Sequence, residues 1–123
     1  MPTRYLPDHA LYPSPANLHV TTLDEPGVGG AHHQYLITHN GPDFHVPCEI
    51  AFQDGPISEV GVNGVTNEAL LVIVIDRLRC FQAGEYACRQ NALALTKLEE
   101  GLMWLHARTH ERINRNVEGT HAK

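Results

Sequence analysis

The chain has 123 residues, 42% of them hydrophobic and 19% charged, with 14 Asp plus Glu against 9 Lys plus Arg. That length predicts one compact domain with a core of its own. The net charge of −5 argues against a DNA or RNA polymer as partner, and no apolar run reaches the length of a membrane span.

In chain order, residues 1–16 hold four prolines and no sustained period, which predicts an irregular arm. The arm has no apolar stretch of the signal-peptide kind. "NLHVTTL" (17–23) alternates and reads as a strand, "DEPGVGG" (24–30) as a loop and "HQYLITH" (33–39) as a second strand. "NGPD" (40–43) carries Asn-Gly turn chemistry, and "VPCEIAFQ" (46–53) reads as a third strand. "DGP" (54–56) then predicts a tight turn into a fourth strand, "ISEVGV" (57–62), forming a hairpin with the third. Residues 17–62 are thus expected to be a small antiparallel β-sheet.

From Thr66 the period changes. Thr66 or Asn67 suits an N-cap, with Glu68 placed to complement the helix dipole. Leu70, Leu71, Val74, Ile75, Leu78 and Phe81 then share one face. Val72 and Ile73 make the first half apolar nearly all round, so this helix wants cover on two sides. Gly84 breaks it, and a second helix runs from about Cys88 to Ile113. Along it Leu95, Leu98, Leu102, Leu105, Thr109 and Arg112 follow the spacing of a helix-packing seam. Twenty-six residues would reach about 39 Å, as long as a domain of this size is wide, roughly 35 Å. Such a helix projects or packs beside a copy of itself, which predicts a homo-oligomer. The fold class expected is α+β: the sheet, then two long antiparallel helices over residues 66–115.

Most catalytic signatures are missing: no GxSxG, P-loop, GxGxxG opening a helix, HExxH or CxxC. His106 and His110 stand at i, i+4, but a metal would need a third ligand and Glu111 points away. They read as exposed polar side chains. His32 and His33 have no organising neighbour in sequence. Cys48, Cys80 and Cys88 are odd in number and without metal-type spacing, which predicts reduced thiols. No catalytic residue, metal or cofactor is expected.

The arginines carry more. Arg108, Arg112 and Arg115 crowd the end of the second helix with Glu111 among them. Cations there offset the helix dipole, and that reading needs no ligand. Arg108 and Arg112 also offer two guanidinium forks on one helical face, suited to phosphate. Phe81 or Tyr86, beside the inter-helix turn, could stack a base, and Asn91 could read its edge or a ribose hydroxyl. Together they point to a nucleotide-like anion.

Residues 52–121, and within them "FQDGPI…VGVNG", "ACRQNALALTKLEEGLMWL" and the "R…R…VEGTH" tail, resemble the phage anti-defence proteins that sequester the nucleotide signal of the Thoeris system. The helical part also resembles the hairpin domain shared with a phage sponge against CBASS cyclic oligonucleotides. The first 45 residues carry no resemblance. The resemblance implies a sheet followed by two antiparallel helices, assembled as a dimer or a hexamer in the cytoplasm of the infected bacterial host. It implies tight, non-catalytic binding of glycocyclic ADP-ribose, with cyclic di- or trinucleotides as a further ligand class. By position it makes Phe81 the base-stacking aromatic, Asn91 a polar contact and Arg108 the phosphate-binding arginine, with Arg112 and Thr120 as extensions of that match.

Nanomolar affinity is about −12 kcal/mol. Two charge-assisted arginine contacts and one stacked base supply about 4–9 kcal/mol before the entropy of association is subtracted. The shortfall predicts a site closed by a second chain. Two rival readings remain: an enzyme degrading such a signal with His106 or His110 as general base, and a purely structural helical hairpin with the arginines as solvated caps.

Overall fold

The computed structural model describes residues 4–11, 18–39 and 48–123. The Asn-Gly turn expected at 40–43 and the stretches 12–17 and 46–47 lie outside the described residues. The chain divides into two compact units, Met1–Gly55 with Val60–Val65, and Pro56–Glu59 with Thr66–Lys123.

In the first unit, β1 (Leu18–Thr22), β2 (Gln34–His39) and β3 (Cys48–Ala51) form an antiparallel sheet in that order. Val20 faces Ile37 and Tyr35 faces Ile50, so β-branched and aromatic residues meet across the ladder as strand packing favours. Phe52 extends the second pairing through its N–H to the His33 carbonyl at 2.7 Å and meets Tyr35 edge-on, centroids 5.6 Å apart. The described residues 4–6 of the arm line the other edge. Thr22 donates its N–H to the Arg4 carbonyl at 2.9 Å, and its hydroxyl accepts the Arg4 N–H at 3.0 Å. That pairing satisfies a threonine with no solvent exposure. Tyr5 stacks on His19 at 4.2 Å.

Asp24 closes the loop between β1 and β2. Its carboxylate accepts the N–H groups of His33 at 2.9 Å and Gln34 at 3.2 Å. Desolvation pushes this carboxyl up. The amides of His33 and Gln34, Asp24's own amide and the His32 ring outweigh it and hold the pKa below the ordinary aspartate value.

The expected fourth strand is absent. Residues Ile57–Val60 form a short helix, α1, and the third strand has no hairpin partner after it. The apolar spacing of Ile57 and Val60 suits one helical turn as well as an alternating strand, and Pro56 presets a helical entry. Gly55, at φ 92°, makes the turn that the sequence predicted there. The chain is instead brought back by a side-chain clasp. Gln53 donates to the Gly61 carbonyl at 2.8 Å and accepts the Asn63 N–H at 2.9 Å, while Asn63 accepts from Asp54 N at 2.8 Å. Val65 then pairs in parallel with Phe52.

In the second unit, α2 (Asn67–Gln82) and α3 (Arg89–Asn114) form the hairpin. Thr66 caps α2 by accepting the Ala69 N–H at 3.1 Å, and Glu68 stands in the first turn. Gln82 ties the connection by donating to the Cys88 carbonyl and accepting its N–H, both at 3.0 Å. Cys88 caps α3, its Sγ accepting the Asn91 N–H at 3.4 Å. The seam read from the sequence is the face α3 covers: Leu95, Leu98, Leu102, Leu105 and Thr109 are half-buried and Arg112 is buried. Across from it Ile75 is buried, with Leu71 and Leu78 half-buried beside it. Val72, Ile73, Val74, Met103 and Trp104 remain exposed, Trp104 at 64%. No helix among the described residues is long and apolar enough to cross a membrane.

Candidate functional site

The antiparallel hairpin sets the end of α3 beside the start of α2, and a cavity of about 810 Å³ opens there. Arg108, Leu105 and Thr109 line it from α3, and Thr66, Asn67 and Glu68 from the N-terminal turn of α2. Ile57 and Ser58 of α1 and Glu118 and Gly119 of the C-terminal tail complete it. The volume falls within the range of small-molecule sites, about 300–1,000 Å³. Arg108 is exposed and, among the described residues, makes no ion pair. Its charge stands near the positive end of the α2 dipole, so the two reinforce each other toward an anion. Glu68 and Glu118 supply carboxylate acceptors on the same walls, which match hydroxyl or amino donors rather than phosphate.

Arg112 is arranged differently. It is 5% exposed, and its guanidinium donates to the carbonyls of Ala122 at 2.5 Å, Val117 at 2.9 Å and Thr120 at 3.2 Å. Its Nε lies 3.5 Å from the Glu118 carboxylate. Thr120 belongs to the same tail; its hydroxyl donates to the Val117 carbonyl and accepts the Ala122 N–H. Arg115 pairs with Glu111 at 2.9 Å, as a helix-end cation is expected to. The two forks on one face therefore face different tasks, Arg108 the cavity and Arg112 the tail.

Phe81 and Asn91 stand at the other end of the hairpin. Asn91 precedes Arg108 by 17 residues in one helix, about 26 Å of rise. One chain does not bring them to Arg108. Phe81 is 41% exposed, and the Arg77 guanidinium lies over its ring, 5.6 Å from the centroid. Asp76, Arg77, Cys80 and Phe81 line a cavity of about 340 Å³ there. Arg77 was missed in the sequence, although its i, i+4 spacing to Phe81 was a readable signal.

His106 and His110 line a third concavity, of about 460 Å³, with Met103, Leu102 and the paired Arg79 and Glu99. They are exposed, as the sequence reading expected. Among the described residues no three His, Cys, Asp or Glu side chains are grouped to hold a metal ion. The three cysteines are free and exposed.

A sheet leading into a capped two-helix hairpin defines a hairpin-domain protein, and the family model of the Acb2/Tad1 hairpin domain matches residues 45–110. The chain belongs to that family. It is similar to Thoeris anti-defense 1 of Bacillus phage SBSphiJ7, with 60% identity over 74 residues, covering 60% of this chain and 52% of the relative. The chain thus spans about half the length of the curated relative it matches.

Proposed function

We propose that this chain is an anti-defence protein that binds a cyclic ADP-ribose-type signal and holds it without turnover, acting in a phage-infected host against a Thoeris system. The observation that carries this reading is Arg108: a guanidinium without a carboxylate partner among the described residues, set in a nucleotide-sized cavity of an acidic chain. Family membership and the name of the phage relative support it.

In this reading the Arg108 fork takes the pyrophosphate, which prefers two parallel donors to a point charge. Phe81 stacks a base and Asn91 contacts its polar edge. Because Asn91 lies about 26 Å along α3 from Arg108, and Phe81 stands at the same far end of the hairpin, they reach the ligand from a second copy of the chain, placed antiparallel. A homodimer or larger assembly is therefore part of the proposal. The exposed apolar side chains of Ile73, Met103 and Trp104 supply surface for it. Cyclic di- and trinucleotides are a second ligand class to be placed on the same assembly.

Turnover would need a general base at the reacting bond. His106 and His110 line a different concavity from Arg108, so an enzyme built on them would work away from the proposed phosphate contact. The test is calorimetry of the purified protein against glycocyclic ADP-ribose isomers and cyclic di- and trinucleotides, followed by long incubation and heat release. Tight binding of a glycocyclic ADP-ribose with full recovery of intact ligand is expected. Recovery of a product instead would establish the degrading enzyme, and no heat with any ligand would leave the hairpin a structural module.

A further inference from the structure

We infer that Arg112 is a positioning residue of the Arg108 cavity, acting through the C-terminal tail and never on the ligand; this rests on the binding role proposed above. The helix end and the tail are built as one unit. Beyond the α3 cap at Arg115, Asn116 adopts a left-handed conformation, φ 58°. The Val117 N–H reaches back to the Arg112 carbonyl at 3.0 Å and the Asn116 N–H to Ile113 at 2.9 Å. That is the paired 6→1 and 5→2 closure that reverses a chain after a helix. It turns residues 117–122 back along the last turn of α3, where the Arg112 side chain gathers three of their carbonyls.

The tail is held from its other side as well. Ser58 donates both its hydroxyl, at 2.7 Å, and its N–H, at 3.1 Å, to the Gly119 carbonyl, and His121 meets Glu59 at 3.1 Å. Between these two anchors lie Glu118 and Gly119, the tail residues that wall the cavity. A guanidinium has five N–H donors. Recruiting this one to a phosphate would take the donor from the Ala122 and Thr120 carbonyls and leave that of Val117 to the hydroxyl and N–H of Thr120 alone. Arg108, one turn earlier, carries the same chemistry with nothing to abandon. Arg112 thus fixes the wall against which the ligand of Arg108 is held, and Thr120 serves the same strap.

The distinguishing substitution is Arg112→Lys beside Arg112→Ala, both in the full chain. A lysine keeps the point charge a phosphate would feel but cannot span three carbonyls. Both variants are expected to weaken glycocyclic ADP-ribose binding by about tenfold and to agree within about twofold. Both should also speed hydrogen exchange at the Val117 and Thr120 amides in ligand-free protein. If lysine restores affinity while those amides still exchange fast, Arg112 touches the ligand and the inference fails. Ser58→Ala attacks the strap from α1 and is expected to lower affinity in the same direction; unchanged affinity with a released tail would also overturn it. Should the unsubstituted chain bind no cyclic nucleotide, the proposed function falls. The exchange measurement then decides the strap alone: unchanged protection of the two amides in Arg112→Ala would refute it.

Discussion

Arg108 and Arg112 stand one helical turn apart on α3, and one is exposed beside a cavity while the other is buried under three backbone carbonyls. Identical side chains are thereby given opposite consequences on removal. Arg108→Ala should leave the melting temperature within about 1 °C of the parent, because an exposed side chain without a partner contributes little to folding. Its affinity for glycocyclic ADP-ribose should fall by roughly ten- to a hundredfold, the equivalent of one charge-assisted contact of about 1.5–3 kcal/mol. Calorimetry beside a thermal melt reads both. A large drop in melting temperature with unchanged affinity would reverse the assignment of the two arginines.

The hairpin was legible because period and cap agree within a few residues. Thr66 precedes an apolar face, Gly84 interrupts it, and the leucine seam resumes to Thr109 and Arg112; each signal is local. The stretch Ile57–Val60 was misread because four residues fit both periods, and what holds them is remote. Ser58 bonds Gly119 across 61 residues of sequence. The fate of Arg112 was hidden for the same reason. Spacing shows which cations share a face, but only the reversal at Asn116 shows which of them meets the tail. "NVEGT" held a hint, since Asn and Gly are the residues that accept the left-handed positions found at Asn116 and Gly119.

Thr66→Ala isolates one such local signal. The substitution removes the acceptor for the Ala69 N–H and should cost about 1 kcal/mol of stability. Thr66→Ser keeps the hydroxyl and should recover most of it. Denaturant unfolding followed by helical circular dichroism measures both, and equal losses for the two variants would show that the cap is not what the hydroxyl supplies.

Asp24 makes the first unit sensitive to acid. Its folded pKa is lowered, so the bonds to His33 and Gln34 contribute fully above the ordinary aspartate value of about 3.9 and are lost as pH falls through the folded value. Protection of the His33 and Gln34 amides should therefore be flat near neutrality and decline below about pH 4. In Asp24→Asn, which cannot ionise, protection should be lower at neutral pH and lack that decline. A parent profile parallel to the variant's would remove Asp24 as the cause.

Gly64 sits where no side chain fits. A Cβ there would lie 2.5 Å from the Phe52 carbonyl oxygen and 2.6 Å from that of Ala51. Both are backbone atoms and cannot swing aside. Gly64→Ala should break the Phe52–Val65 pairing and destabilise the first unit by at least about 1–3 kcal/mol, the usual cost of overpacking. Gly29→Ala is the control: nothing lies within 4 Å of its Cβ, so only its positive φ opposes the change. The Gly64 substitution should be the more damaging in thermal melts, and the reverse order would contradict the close approach.

Trp104 is 64% exposed, beside Met103 at 53%, on a helix whose seam is already spent against α2. Apolar surface of this extent is costly to leave in water, and isolated burial inside the chain amounts to little more than Ile75 among the described hydrophobic residues. If a second copy covers it, a charge at its centre would be desolvated on assembly, at a cost that ordinary subunit contacts do not repay. Trp104→Glu should accordingly shift light-scattering mass from a multiple of the chain toward a single chain while helical content persists. Binding of glycocyclic ADP-ribose should weaken in parallel, because Phe81 and Asn91 would no longer be brought to Arg108. An unsubstituted protein that already scatters as one chain, yet binds the nucleotide tightly, would place the whole site within a single hairpin and exclude the shared one.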